Sequence, residues 1–254
     1  MHVLRETRIV FLRAFRLSLR NPAWVVIGLT QPILYLALFG PLLKKLKGLP
    51  GFPTGVSWWQ VFVPGLLIQL SIFGALFVGF GLIGEYRAGV IEQMRVTPAS
   101  RMALLMGRVL RDVVVLVVQA ATLIVVAVIF GMRAPLGGVL LAFILVAALG
   151  AACSSTSYAV ALITKSEDAL APLLNTVAVP LLLLSGIMLP MSLAPGWLRR
   201  VSEVNPFSHI VDGVRSFFRG DLGSADALWS LFVAAIIVGL GIAFGARTFQ
   251  RESA

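Results

Sequence analysis

Residues 113–130 read VVVLVVQAATLIVVAVIF, an 18-residue stretch without a charged side chain. At a rise of about 1.5 Å per residue, a helix of this length crosses most of a hydrocarbon core that is roughly 30 Å thick. Comparable stretches occur at about residues 23–43, 61–84, 139–163, 169–189 and 227–246. The sequence therefore predicts an all-α polytopic membrane protein with six transmembrane helices.

The composition agrees with this class. Of the 254 residues, 59% are hydrophobic and 13% are charged, whereas soluble domains average about 25% charged residues. No segment between the spans has the length of an ordinary soluble domain, so residues 1–254 are predicted to form one transmembrane domain. Anionic lipids and basic inner loops explain the net charge of +10, so no nucleic-acid partner is expected.

The sequence lacks the residue patterns of an enzyme or a metalloprotein. It has no Gly-x-x-x-x-Gly-Lys-Ser/Thr phosphate loop and no Gly-x-Ser-x-Gly nucleophile turn. The only histidines are His2 and His209, and the only cysteine is Cys153, which are too few for a zinc site. We therefore expect no catalytic residue, no metal and no bound cofactor.

Residues 1–22 are predicted to form an amphipathic helix on the membrane surface. Its arginines fall within an arc of about 140° when successive residues are placed about 100° apart. They are Arg5, Arg8, Arg13, Arg16 and Arg20. If this helix is inside, the inner segments carry 13 of the 21 lysines and arginines and the outer segments carry 8. The positive-inside rule then favours cytosolic N- and C-termini.

Two connecting segments are the candidates for function. The inner one, residues 85–112, is predicted to contain a short cytosolic helix over residues 85–100 that ends near Pro98, because proline disfavours helix in the preceding residue. The outer one, residues 190–226, contains Pro190, Pro195 and charges that cost roughly 2.5–3.5 kcal/mol each at the bilayer centre. It is predicted to be a broken helical hairpin that re-enters the outer leaflet. From the residues alone, a plain linker and an ordinary extracellular loop remain open.

Both segments resemble those of the type-2 ABC transporter permease family, and the order of spans and motifs does so over essentially the whole chain. The inner motif is matched by Glu85, Arg87, Gly89, Glu92, Thr97, Pro98 and Arg101, with Val90 where threonine is common. The outer motif is matched by Ser185, Gly186, Pro190, Trp197, Leu198, Asn205, Pro206, Asp212 and Arg215. Among subfamilies, the chain looks most like the permeases of daunorubicin-type multidrug-resistance exporters.

The resemblance implies a membrane subunit of an ATP-driven exporter in the bacterial cytoplasmic membrane. Its implied partners are two cytosolic ATPase subunits, which would bind the ATP and magnesium, and a second permease, identical or different. Residues 85–100 would then be the coupling helix that contacts the ATPase. An amphipathic drug or lipid-like molecule is the expected substrate, because the spans are mostly apolar. The alternatives are a permease for a polysaccharide or glycolipid and a membrane enzyme or assembly factor without transport.

Polar side chains inside the predicted spans are the candidates for a translocation pathway. They are Gln31, Gln69, Gln119, Asn175 and Ser185. Each could equally bond to a neighbouring helix. The resemblance implies that spans two and five face a central cavity, which favours Gln69 and Asn175.

Two other features of the spans carry predictions. Asp112, beside Arg111 at the inner boundary of the third span, is expected at the membrane interface rather than in a proton relay. Gly241 and Gly245 form a Gly-x-x-x-Gly pair in the sixth span. This pair is expected to pack against another helix of the same chain.

Overall fold

The computed structural model describes residues 2–20, 23–46, 57–89, 100–187 and 191–252. Its helices are α1 (His2–Arg20), α2 (Ala23–Leu46), α3 (Trp58–Leu76), α4 (Gly79–Arg87), α5 (Arg101–Ile129), α6 (Leu136–Thr164), α7 (Glu167–Leu184), α8 (Gly196–Val204), α9 (Pro206–Arg219) and α10 (Ala225–Glu252). A short 3₁₀ turn, Met191–Leu193, precedes α8. No strand occurs within the described ranges, so the predicted all-α class is confirmed.

Five helical segments are long and apolar enough to cross a bilayer. They are Trp58–Arg87, which comprises α3 and α4, together with α5, α6, α7 and the Ala225–Arg251 part of α10. In α2, the apolar part within the described residues is Val26–Gly40, so the sixth span stays a prediction. Several segments of this length and hydropathy make the chain a multi-pass membrane protein.

The helix α5 begins well before the predicted third span. It starts at Arg101, and Ser100 caps it, with its hydroxyl oxygen accepting a 3.2 Å hydrogen bond from the amide three residues on. Arg108 and Asp112 in this first part are buried, because they find charged and polar partners inside the bundle. The inner connecting segment is therefore shorter than the sequence indicated.

The helix α7 ends earlier than the predicted fifth span. Its last residue is Leu184, and Gly186 then adopts a φ of 69°. This left-handed conformation is available to glycine and commonly ends helices. Beyond this turn, α8 and α9 are two separate helices joined at Asn205. The described part of the outer segment thus contains two separate helices, and its re-entry into the outer leaflet as a broken hairpin stays a prediction.

The helix α6 lies at the centre of the bundle, where it packs against α3, α5, α9 and α10. Its contact with α10 is close, because a Cβ on Gly241 would lie 2.9 Å from the Ala152 carbonyl oxygen. A Cβ on Gly245 would lie 2.7 Å from the Ser155 Cβ. The prediction that the Gly-x-x-x-Gly pair packs within the chain is thus confirmed, and small residues permit this approach of two backbones.

The bundle has two ends, which are formed by different helices. At one end, α1 packs along the start of α5, where Val10 lies against Gly107. Glu6 also accepts a 2.9 Å hydrogen bond from the Ser100 amide. The other end consists of the start of α3, the turn after α7, and the helices α8 and α9. We refer to these as the α1 end and the α9 end.

Candidate functional site

Ion pairs join α4 to two other helices at the α1 end. Arg108 Nη2 of α5 lies 2.5 Å from Glu85 Oε2 of α4, and the Arg108 side chain is 8% exposed. Arg87 Nη1, also of α4, lies 3.3 Å from Glu167 Oε1 at the start of α7. The last turn of α4 is therefore fastened to both α5 and α7.

A second polar group of this end lies inside the bundle. The Tyr158 hydroxyl of α6 donates a 2.5 Å hydrogen bond to Asp112 Oδ2, and Arg111 Nε lies 3.2 Å from Asp112 Oδ1. Tyr158 and Asp112 are 1% and 2% exposed. Asp112 is therefore enclosed by protein, which a carboxylate with a cation and a hydroxyl donor tolerates, and its position at the membrane interface stays a prediction.

The predicted coupling residues fall partly within the described chain. Glu85 and Arg87 lie in the last turns of α4. Arg101 is the first residue of α5, and its Nη1 donates a 2.9 Å hydrogen bond to a carbonyl near the end of α10. Glu92 and Pro98 lie outside the described residues. Contact between these residues and an ATPase stays a prediction.

Gly89 terminates α4. Its φ is 70°, and its amide donates a 3.1 Å hydrogen bond to the Tyr86 carbonyl. Within the described chain, no atom lies within 4 Å of the position that a Cβ would take. Glycine is therefore favoured here by the backbone conformation, in addition to any close approach of a partner.

At the α9 end, Arg215 joins three parts of the chain. Its Nε donates a 3.0 Å hydrogen bond to the Val61 carbonyl in α3, and its Nη2 donates a 2.6 Å hydrogen bond to the Gly186 carbonyl. Its Nη1 lies 3.0 Å from Asp212 Oδ1, and the Arg215 side chain is 7% exposed. Burial lowers the pKa of the Arg215 guanidinium, and the Asp212 carboxylate opposes that shift. The planar guanidinium suits three acceptors in fixed directions.

Asn205 fixes the corner between α8 and α9. Its Oδ1 accepts a 3.0 Å hydrogen bond from the Phe207 amide and so caps α9, while Pro206 occupies the first turn. Its Nδ2 donates a 3.2 Å hydrogen bond to the Leu181 carbonyl. That carbonyl lies in the last turn of α7, where carbonyls lack an intrahelical partner. The Asn-Pro pair thus anchors the hairpin to α7.

The remaining residues of the outer motif differ in position. Trp197 is 69% exposed on α8. Ser185 is buried, and its hydroxyl donates a 2.9 Å hydrogen bond to the Leu182 carbonyl at the end of α7. Pro190 lies outside the described residues. Ser185 therefore helps to end a helix, whereas Trp197 faces out of the chain.

The five pathway candidates do not share one surface. Gln31 and Asn175 are exposed, with side-chain hydrogen bonds of 3.1 Å to the Tyr35 hydroxyl and 2.9 Å to the Ala171 carbonyl. Gln69, Gln119 and Ser185 are buried, with exposures of 2%, 4% and 1%. Of these candidates, only Gln31 and Asn175 have side chains that face outward from a single chain.

The ion pairs and hydrogen bonds described above hold neighbouring helices together. Within the part of the chain that the structure describes, no group of three or more acidic, histidine or cysteine side chains is placed to hold a metal ion. Sequence analysis missed Arg108 and Tyr158. The polar run that ends at Tyr158 in the middle of an apolar span was the available signal, because such residues need buried partners.

Comparison with known proteins places the chain in a family. A family model described as ABC-2 type transporter matches residues 5–218. The daunorubicin resistance ABC transporter permease protein DrrB1 of Streptomyces coeruleorubidus is 25% identical over 235 residues, covering 92% of this chain and 82% of that protein. A Mycobacterium tuberculosis protein named "Probable doxorubicin resistance ABC transporter permease protein DrrC" is 23% identical over 203 residues, covering 79% of this chain and 72% of that protein. Since the family model spans most of its length, the chain belongs to the ABC-2 type transporter family as a membrane permease.

Proposed function

We propose that this permease exports amphipathic drugs or lipid-like molecules, driven by ATP that two separate ATPase subunits hydrolyse. The observation that carries the proposal is the near full-length match to a relative named for daunorubicin resistance. The spans support the same substrate class, because their outward faces are mainly apolar and offer few charges to a sugar or an ion. Among the pathway candidates, Gln31 and Asn175 are exposed and would meet such a molecule.

ATP-driven movement would enter the membrane helices through residues 85–100. This segment leaves α4 and returns as α5, and the pair Glu85–Arg108 connects these two helices directly at 2.5 Å. The pair Arg87–Glu167 adds α7. A displacement of the segment would therefore move the ends of three helices together rather than bend one connection.

The proposed complex contains a second permease and lies in the bacterial cytoplasmic membrane, with both termini in the cytosol. The excess of basic residues in the inner segments, 13 against 8, supports this orientation. In α7, 17% of the apolar window is buried within one chain. Such a helix has most of its surface available to lipid or to another subunit.

Transport can be tested in inverted membrane vesicles that contain the permease and its partner ATPase. We expect ATP-dependent accumulation of a daunorubicin-type drug, and none in vesicles without the ATPase. Accumulation of a glycolipid but not of the drug would replace the proposed substrate class. If neither accumulates in vesicles that contain an active ATPase, the transport function is refuted.

Coupling is tested by reversing one charge in the inner segment. Glu92→Arg is expected to insert normally, to reduce transport and to reduce substrate-stimulated ATP hydrolysis, because a repulsive or unpaired charge in a protein contact costs roughly 2–5 kcal/mol. Asp168→Arg is the matched control, since Asp168 is exposed at the start of α7. Transport by Glu92→Arg at the rate of this control would show that the segment is only a linker.

A further inference from the structure

A polar cavity of 260 Å³ lies at the α9 end, between α8, α9 and the start of α3. Its wall includes Arg199, Arg215, Arg219, Glu203 and Asp212. Three cations against two carboxylates give this wall an excess of positive charge. Arg215 holds helices together through the contacts described above, whereas those contacts assign no role to Arg199 and Arg219.

Arg219 Nη2 donates a 2.9 Å hydrogen bond to the Ser216 hydroxyl, and the other donors of Arg219 and those of Arg199 are available to a ligand. Arg199 Nε lies 3.7 Å from Glu203 Oε1, and Arg219 Nε lies 3.7 Å from Asp221 Oδ2. These separations exceed the roughly 2.7–3.2 Å of an N–H···O hydrogen bond. The two arginine side chains are 63% and 32% exposed, and a guanidinium pairs in bidentate fashion with phosphate. An anion between them would therefore form shorter contacts than the present ion pairs.

The same helix that supplies Arg199 carries an apolar stripe on another face. Trp197, Val201 and Val204 follow one another at helical spacings of four and three residues. They are 69%, 45% and 84% exposed. In a membrane protein such a stripe contacts acyl chains, and tryptophan is typical of the level of the headgroups. Next to the cavity, α8 thus offers a charged contact and an apolar contact to one amphipathic molecule.

We infer that this cavity binds the phosphate-bearing headgroup of a membrane phospholipid whose acyl chains lie along Trp197, Val201 and Val204. The phosphate lies between Arg199 and Arg219. Glu203, whose side chain is 62% exposed, receives an ammonium group, so a phosphoethanolamine headgroup fits better than a purely anionic one. The inference depends on the chain lying in a membrane and not on which molecule it exports.

The experiment measures lipid binding to the purified full-length chain after removal of bound lipid in detergent. The probes are a short-chain phosphatidylethanolamine, the phosphatidylglycerol and diacylglycerol with the same chains, and inorganic phosphate. We expect saturable binding of phosphatidylethanolamine, at least tenfold tighter than that of diacylglycerol. The double variant Arg199→Gln/Arg219→Gln should weaken it at least tenfold. Arg200→Gln is the matched control, because Arg200 is exposed on the same helix and lies outside the cavity wall.

Each other outcome contradicts a defined part of the inference. Unchanged affinity in the double variant, or an equal loss in Arg200→Gln, would mean that binding is general attraction to a basic surface. Inorganic phosphate binding as tightly as the lipid would establish an anion site and refute a lipid site. Tighter binding of phosphatidylglycerol than of phosphatidylethanolamine would refute the proposal that Glu203 binds the ammonium group. Retained protection of the buried Cys153 thiol shows that a variant is folded.

Discussion

Replacing Arg215 with lysine should destabilise the α9 end although the positive charge is kept. The guanidinium bonds to the Val61 and Gly186 carbonyls at 3.0 and 2.6 Å, in two directions. A single ammonium at the end of a flexible chain can reach one of these acceptors in its place. Losing one buried hydrogen bond that involves a charged group costs about 1.5–3 kcal/mol. Loss of the Asp212 contact adds little, because that carboxylate is 54% exposed.

The chain supplies its own reporter for this measurement. Cys153 is the only cysteine and is buried, so a thiol-reactive dye labels it only when the centre of the bundle opens. Thermal unfolding of the purified protein, followed with this dye, should show a midpoint about 3–12 °C lower for Arg215→Lys, scaling from soluble domains of similar length. Arg219→Lys is the control, because this arginine lies one turn later in α9 and is 32% exposed. Its midpoint should change by a few degrees at most.

Two results would refute the reasoning. If Arg215→Lys unfolds within about 2 °C of the wild type, the forked hydrogen bonds do not stabilise the α9 end. If the unfolding midpoint of Arg219→Lys is lowered as much as that of Arg215→Lys, replacing either arginine of this helix destabilises the protein equally. In the second case, the geometry of the Arg215 fork has no special role.

Three further predictions concern the bundle and its orientation. Gly245→Ala should lower the free energy of unfolding by roughly 1–3 kcal/mol, because the added methyl group overpacks against α6. Gly239→Ala, in open space on the same helix, should leave this free energy unchanged or raise it by up to about 1 kcal/mol. Equal effects of the two substitutions would contradict the packing of α10 against α6. Tyr158→Phe should cost about 1.5–3 kcal/mol in the same thiol assay, because it removes a hydrogen bond to a buried carboxylate; an unchanged midpoint would contradict this. In a cysteine-free background, Asp221→Cys should be labelled by a membrane-impermeant reagent from outside intact cells and Asp168→Cys should not, and the reverse pattern would invert the proposed orientation.

The apolar runs predicted the helical class because hydropathy is a local property of the sequence. They placed the centres of the spans well and their ends less well. The charged residues 101–112 were assigned to an inner loop, yet they form the first turns of α5. A charge within a helix is compatible with burial when a partner is close. Sequence alone does not reveal that Tyr158, in a different helix, is near Asp112.

The motif residues could be selected from the sequence, but their contacts could not. Arg215 was matched to the family motif, whereas its acceptors at Val61 and Gly186 lie 154 and 29 residues away in the chain. Asn205 was more accessible to reasoning, because an Asn-Pro pair before an amphipathic run is a known helix start. Its second hydrogen bond, to Leu181 of α7, depends on how the hairpin folds back.

The helices are held together by different kinds of contact at the two ends of the bundle. At the α1 end, Glu85–Arg108 and Arg87–Glu167 are ion pairs between side chains, whose acidic partners are 42% and 43% exposed. At the α9 end, Arg215 bonds to backbone carbonyls and is buried. The pair Arg87–Glu167, exposed on both sides, contributes little stability and can exchange partners, whereas the buried Arg108 holds α4 to α5 and the buried fork fixes one arrangement of the α9 end. If an ATPase acts at the α1 end, as we propose, α4 and α5 would move together through the largely buried Arg108, while the Arg215 fork would hold α3, the turn after α7 and α9 in one arrangement.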